Sequence, residues 1–236
     1  GGSRRADLAA ALMAQLDGPA GDTALRALSR LHTAVGVQVD AAQLNKRFEH
    51  ETAQTWRQLL YLGNGAWPRA RAAAEDDELF ERALREDTTM RIRRCFLLLG
   101  LAHAPGDMRS AFRGVASPRM ASRAKAVEFL DNVLSLGQRQ RLVPLLDELG
   151  PSELAAAAER HLDMRVESAA EFVERTLEAD SPWLVAVACW KIGRDGLAER
   201  AMGLTIVERA LKLRAVDVLK QATSEDLAYV AQIAEE

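Results

Sequence analysis

The feature that most constrains this chain is a regular spacing of small residues within helix-forming segments. Cys95, Ala126, Ala157 and Ala188 are separated by 31 residues at each step, from 95 to 126, from 126 to 157 and from 157 to 188. Small side chains are needed where two helices approach closely, so the same helix contact is expected to recur along the chain. A period of this length is typical of helical units that bury a continuous core by stacking on one another.

Composition favours helices over strands. Ala, Leu and Arg dominate the 236 residues, and aromatic residues make up only 5%. Strands are enriched in β-branched and aromatic residues, whereas Ala and Leu are strong helix formers. The predicted fold class is therefore all-α. Helices are predicted at about 5–16, 22–35, 41–62, 77–86, 88–101, 106–115, 118–136, 138–149, 151–163, 167–179, 181–193, 195–202, 205–220 and 224–235.

Helix boundaries follow local signals. Asp40 is a suitable N-cap for the long third helix, and the Gly63–Pro68 stretch is expected to end it. Later breaks are predicted at Pro105-Gly106, Ser117-Pro118 and Gly137, and at the further Gly and Pro positions Gly150-Pro151, Ser181-Pro182 and Gly193. Loops this short join helices that pack antiparallel, which predicts a right-handed α-solenoid of helical hairpins.

The stretch from Pro182 to Gly193 resembles the HEAT-repeat pattern P-x-V-R-x-x-A-x-x-x-L-G, with Val185 in place of the Arg. The central copy keeps Arg123, Ala126 and Leu130 in the Arg, Ala and Leu positions. This resemblance implies a HEAT-repeat core over residues 76–203, preceded by a helical region at 4–75. Gly1-Gly2-Ser3 is interpreted as a cloning scar.

Residues 205–219 and 224–236 resemble the lead-in to a cyclic-nucleotide-binding domain, with Asp217 in place of the usual Pro. Together with residues 123–134, the 204–236 segment makes the chain similar to the HEAT region of bacterial ATP/ADP translocase-like proteins. In that family a major-facilitator membrane domain precedes the HEAT repeats, and a cyclic-nucleotide-binding domain often follows. The resemblance implies a regulatory scaffold at the cytoplasmic face of a membrane, with those two domains as intramolecular partners.

Charge is distributed unevenly along the chain. Between residues 82 and 125 there are ten basic and three acidic residues, a net of +7, whereas between 147 and 180 the net is −7. The basic stretch is a candidate surface for an acidic peptide, a phosphate-bearing ligand or lipid headgroups. The alternative is that its arginines are solvated or form ion pairs between repeats. The candidate residues for an anionic partner are Arg91, Arg94, Arg109, Arg113, Arg119 and Arg123.

Catalytic and metal-binding motifs are not evident. His50-Glu51 begins a zinc-type H-E-x-x-H pattern, but Gln54 replaces the second histidine. The two cysteines, Cys95 and Cys189, are far apart in apolar segments, which favours a reducing compartment without disulfides. No cofactor is expected, and the chain is not predicted to be an enzyme. Asp131 is expected to pair with an arginine of an adjacent repeat.

The primary hypothesis is a non-catalytic scaffold or regulatory domain of a longer membrane protein, the chain itself being soluble and without a membrane span. A nucleic-acid-binding HEAT-like protein, similar to the helical-repeat DNA glycosylases, is the second hypothesis, because the +7 stretch could bind phosphates. The third is a peripheral protein that binds anionic lipid through the same arginines.

Overall fold

The computed structural model describes residues 2–16, 21–63, 79–147, 149–179, 181–192, 207, 210, 213 and 222–233. Every regular element in these ranges is helical and none is a strand, so the all-α prediction is confirmed. The helices are α1 Gly2–Ala14, α2 Gly21–Val35, α3 Ala41–Leu62, α4 Leu79–Ala102, α5 Pro105–Val115, α6 Met120–Val133, α7 Leu136–Leu146, α8 Pro151–Leu162, α9 Ala169–Thr176, α10 Pro182–Ile192 and α11 Ser224–Ile233.

The described residues divide into two compact units. The first contains those up to residue 70 together with 88–166, and the second contains those of 71–87 together with 167–236. Each unit therefore combines two separate stretches of chain. The boundary at residue 87 lies within α4, so residues 79–87 of that helix belong to the second unit.

In the first unit, several helices pack on the next helix in the chain. Helix α1 packs on α2, α5 on α6, α6 on α7, and α7 on α8. Helix α3 additionally packs against α7 and α8. The indole Nε1 of Trp56, a fully buried residue of α3, donates a 2.8 Å hydrogen bond to the carbonyl oxygen of Arg141 in α7. A stack in which each repeat touches only the next does not predict this contact.

The boundaries of α3 confirm the local signals. The Asp40 carboxylate accepts from the backbone N–H groups of Ala42 at 2.8 Å and Gln43 at 3.4 Å, which satisfies donors that have no partner inside the helix. Gly63 ends the helix at φ 61°, in the left-handed region that glycine adopts without a Cβ penalty. The Val37–Val39 stretch between α2 and α3 is irregular.

The predicted break between helices at 77–86 and 88–101 is wrong, since α4 runs without interruption from Leu79 to Ala102. One of the polar residues next to the predicted break is used in a tertiary contact. Thr88 is fully buried and its hydroxyl donates to the Gln58 side chain of α3 at 2.9 Å. The Thr88 side chain is therefore bonded to α3 and does not act as an N-cap within α4.

The predicted helix at 118–136 also needs correction, because it ends at Val133 and α7 begins at Leu136. Ser135 forms a capping box with Gln138, in which each side chain accepts from the backbone N–H of the other residue. Gly137, the predicted breaker, lies in the first turn of α7, and that helix ends at Leu146 instead of 149.

The four residues of the 31-residue spacing are all buried, one each in α4, α6, α8 and α10. Ala126 lies at a close helix contact. A Cβ placed on Gly114 of α5 would come within 2.7 Å of the Ala126 Cβ. At this position the structure confirms that a small residue permits close approach of two helices.

The second unit is described over fewer residues. Phe80 of α4 and Phe172 of α9 meet edge to face with ring centroids 6.4 Å apart. Lys191 of α10 lies 5.5 Å from the Phe80 ring centroid and pairs with Glu81 at 3.1 Å. The predicted helix at 195–202 lies outside the described residues. Of the predicted helix at 205–220, residues 207, 210 and 213 are described, and each is helical.

Candidate functional site

A cluster of charged side chains lies inside the first unit, where α2, α3 and α4 contribute to it. Glu51 of α3 is 1% exposed. Its Oε2 is 3.0 Å from Nη1 of Arg91, and its Oε1 is 2.7 Å from Nη2 of Arg47 and 3.9 Å from Nη1 of Arg94. A buried carboxylate is strongly disfavoured without such partners. The three arginines therefore compensate a charge that could not otherwise be buried.

The cluster extends to Asp22 at the start of α2. Arg94 Nε lies 3.5 Å from its Oδ1, and Arg26 pairs with the same carboxylate. Arg91 is itself only 3% exposed. Two of the six arginines predicted to bind an anionic partner, Arg91 and Arg94, thus neutralise internal carboxylates. Arg91 and Arg94 are therefore removed from the predicted anion-binding residues, because both form ion pairs within the first unit.

The other four predicted arginines lie around the turn that joins α5 to α6, and we call them the α5–α6 basic surface. Arg109 and Arg113 are exposed and four residues apart on α5, which places them on one face. Arg119 is exposed just before α6. Arg123 is half-buried and donates through Nη1 to the carbonyl oxygens of Ser117 and Pro118, each at 3.1 Å.

Within the part of the chain that the structure describes, Arg109, Arg113 and Arg119 form no ion pair. Arg113 donates to the Ser110 hydroxyl at 3.3 Å, a neutral acceptor that leaves its charge uncompensated. These three arginines therefore carry positive charge that no carboxylate of the described residues pairs with.

Asp131 does not make the predicted side-chain ion pair within the described ranges. Arg139 of α7 instead donates to the Asp131 backbone carbonyl at 3.2 Å, and the Asp131 side chain is exposed. Its charge acts on Asp147, the residue that ends α7. Burial raises the pKa of the Asp147 carboxyl, and the negative charge of Asp131 raises that pKa further.

The first unit also contains a cavity of about 570 Å³ between α1 and α3, which we call the α1–α3 cavity. One wall is the apolar face of α1, and Val39 of the connecting segment contributes to the lining. The opposite wall is a polar face of α3 formed by Gln43, Lys46, Arg47 and His50. Arg47 thus lines the cavity and also holds Glu51, which connects the cavity to the buried cluster.

Cys95 and Glu51, two side chains that carry potentially reactive groups, are both buried in the first unit. Burial raises the pKa of the Cys95 thiol well above its usual value, and the nearby Glu51 charge adds to this effect, so the nucleophilic thiolate is disfavoured. Among the described residues no group of three or more His, Cys, Asp or Glu side chains could hold a metal ion. Glu51, the second residue of the incomplete zinc motif, instead forms ion pairs with arginines.

Comparison with known proteins gives no match, whether to a family model, to a curated protein or to a solved structure. None of the helices within the described ranges combines the length and the apolarity that crossing a membrane requires.

Sequence reasoning missed the two structural features that involve α3. Glu51 and Arg91 are 40 residues apart, and nothing in their local sequence indicates that they meet. The cavity wall did leave a signal, because Gln43, Lys46, Arg47 and His50 follow the i, i+3, i+4, i+7 spacing of one helix face. A polar stripe at the spacing normally occupied by apolar residues indicates a face that is not packed against a core.

Proposed function

We propose that this chain is a non-catalytic helical scaffold domain that binds an acidic segment of another protein or domain. The observation that carries the proposal is the uncompensated charge of Arg109, Arg113 and Arg119 on the α5–α6 basic surface. Guanidinium groups suit carboxylates because they can form two parallel hydrogen bonds to one partner. Arg123 supports the surface by fixing the backbone of the turn.

Two features favour a protein partner over nucleic acid. Affinity for DNA depends on the number of phosphates that a protein neutralises, and the four arginines of this surface can neutralise only a few. The chain also has a formal net charge of −3, whereas nucleic-acid-binding domains are usually strongly basic. An acidic peptide needs only a local positive surface, so the overall negative charge does not oppose its binding.

The finer architecture belongs to the same proposal. We propose that α5 to α8 form HEAT-like hairpins of a right-handed α-solenoid, supported by their packing in chain order and by the buried Ala126 and Ala157 at equivalent positions. The sequence resemblance further supports a parent protein of the ATP/ADP translocase-like type. In that setting the domain lies at the cytoplasmic face of the membrane, and the acidic partner is a segment of a neighbouring domain.

A panel of three anionic probes tests the partner class. A fluorescent peptide rich in Glu and Asp, a duplex DNA of matched charge and vesicles of phosphatidylglycerol are each titrated with the protein at low and at physiological salt. We expect the peptide to bind, more weakly at the higher salt because the contacts are between exposed charges. Binding to DNA or to vesicles at physiological salt without peptide binding would contradict the proposal and favour the corresponding alternative.

A further inference from the structure

The α1–α3 cavity has the size of a small-molecule site. Its volume of about 570 Å³ lies inside the range of roughly 300–1,000 Å³ that is typical of ligand pockets. Ligand pockets combine apolar walls with a few polar groups that orient the bound molecule. In this cavity α1 provides an apolar wall and α3 provides the polar groups.

The α1 wall is apolar and made of small side chains. Ala6, Ala9, Ala10 and Met13 line the cavity at the spacing of one helix face. Alanines at this spacing fill little of the volume between two helices, which leaves space along α1. From Ala6 to Met13 the wall is about 10 Å long, at 1.5 Å of rise per residue. None of the lining residues that the structure describes is a Phe, Tyr or Trp, so the wall suits an alkyl chain better than a planar ring.

The α3 wall carries the cationic groups. Lys46 is exposed and forms no ion pair among the described residues, and Arg47 has a side chain 12% exposed beside it. The acidic group at the same end, Asp40, already accepts hydrogen bonds from the first turn of α3. Glu51, the carboxylate that pairs with Arg47, is shared among three arginines. Lys46 therefore supplies a cation at the cavity that no carboxylate of the described residues pairs with, and the Arg47 guanidinium lies in the same wall.

From these two walls we infer that the α1–α3 cavity binds a medium-chain aliphatic carboxylate. The alkyl chain lies along the alanine face of α1, and the carboxylate meets Lys46 and Arg47 on α3. This ligand has one ionised end and an apolar tail, which matches one cationic wall and one apolar wall. The site is separate from the α5–α6 basic surface and does not depend on its function.

Calorimetric titration of the protein with decanoate tests the inference. We expect saturable binding at one site, with affinity roughly tenfold higher than for octanoate because two further methylenes are buried. Acetate, which has no tail, and decyltrimethylammonium, which has the opposite charge, are expected not to bind. Absence of decanoate binding, or equal affinity for the cationic analogue, would overturn the inference.

Paired variants locate the site. Ala10→Phe places a ring in the cavity and should abolish decanoate binding, whereas Ala11→Phe changes the adjacent exposed residue, which does not line the cavity. Lys46→Gln should weaken binding about fivefold to tenfold, and Lys125→Gln on α6 should leave it unchanged. Circular dichroism confirms that each variant is folded. Wild-type affinity in both folded variants Ala10→Phe and Lys46→Gln would place any binding elsewhere and refute the assignment.

Discussion

Two buried tryptophans differ in the hydrogen bonding of the indole N–H. Trp56 donates to the Arg141 carbonyl at 2.8 Å, whereas Trp183 Nε1 is buried and, within the described residues, donates to no acceptor. Trp56→Phe removes this buried hydrogen bond and should lower the free energy of unfolding by about 1–3 kcal/mol. Trp183→Phe removes a donor that was already unsatisfied, so we expect a smaller loss.

Urea unfolding followed by circular dichroism measures both effects. The two substitutions delete the same atoms, so their difference isolates the hydrogen bond that joins α3 to α7. Equal losses for the two variants would show that the bond does not stabilise the folded chain.

Asp147 is expected to make stability depend on pH. Its folded-state pKa is raised, so the folded chain holds this proton more tightly than the unfolded chain does. The resulting stabilisation is present below the unfolded-state pKa and is lost as the pH rises through the folded-state pKa. Asp147→Asn should therefore be more stable than the wild type at pH 7, and this advantage should shrink as the pH is lowered.

Unfolding free energies measured across that pH range test the sign. Asp131→Asn removes the second cause of the raised pKa and should shift the transition to lower pH without abolishing it. An advantage of Asp147→Asn that grows on acidification would contradict the account of this carboxyl.

The contact between α5 and α6 depends on glycine at one position. Gly114→Ala would place a Cβ 2.7 Å from the Ala126 Cβ, a distance that forces the helices apart and should cost about 1–3 kcal/mol. Gly106 lies in the same helix, and a Cβ added there would meet open space, so Gly106→Ala should be neutral or stabilise by up to about 1 kcal/mol.

A double-mutant cycle tests whether the loss comes from this pair of positions. Adding Ala126→Gly to Gly114→Ala restores the space, and the two changes should show a favourable coupling of about 1 kcal/mol or more. Additive effects in urea unfolding would mean that Ala126 is not the residue that limits the approach.

In the charged cluster that joins α2, α3 and α4, the Glu51 carboxylate is expected to contribute most to stability. Glu51→Gln removes the negative charge that pairs with the buried Arg91 and should cost about 3–5 kcal/mol. Asp22→Asn removes a more exposed pair, with Arg26 45% exposed, and should cost no more than about 1 kcal/mol. Thermal unfolding of the two variants side by side measures the difference. Similar losses would show that Glu51 does not hold the cluster together.

At the scale of the whole molecule, the fold class and several helix ends could be predicted because they depend on neighbouring residues. The Asp40 cap and the Gly63 end of α3 are local features and were predicted correctly. The Ser135 capping box is equally local. The S-x-x-Q pattern that signals it is present in the sequence, within the range 118–136 for which the sequence analysis predicts one helix. The internal use of Arg91 could not be predicted, because its partner lies 40 residues away and only the folded chain brings them together.

This long-range pairing decides how the charge of the chain should be interpreted. Sequence alone treats all ten basic residues between 82 and 125 as one basic stretch. In the folded first unit, Arg91 and Arg94 are occupied by Glu51 and Asp22, whereas Arg109, Arg113 and Arg119 are exposed and form no ion pair among the described residues. The proposed function depends on this division between internal and available arginines.

The most direct test is the affinity of an acidic peptide for a charge-reversed protein. Fluorescence anisotropy compares the wild type with Arg109→Glu/Arg113→Glu/Arg119→Glu and with a control of equal net charge, Arg5→Glu/Arg30→Glu/Arg160→Glu, whose three arginines are also exposed. We predict that the first variant loses binding by at least about tenfold while the control stays within about threefold of the wild type. Equal loss in both variants, or none in the first, would contradict the account.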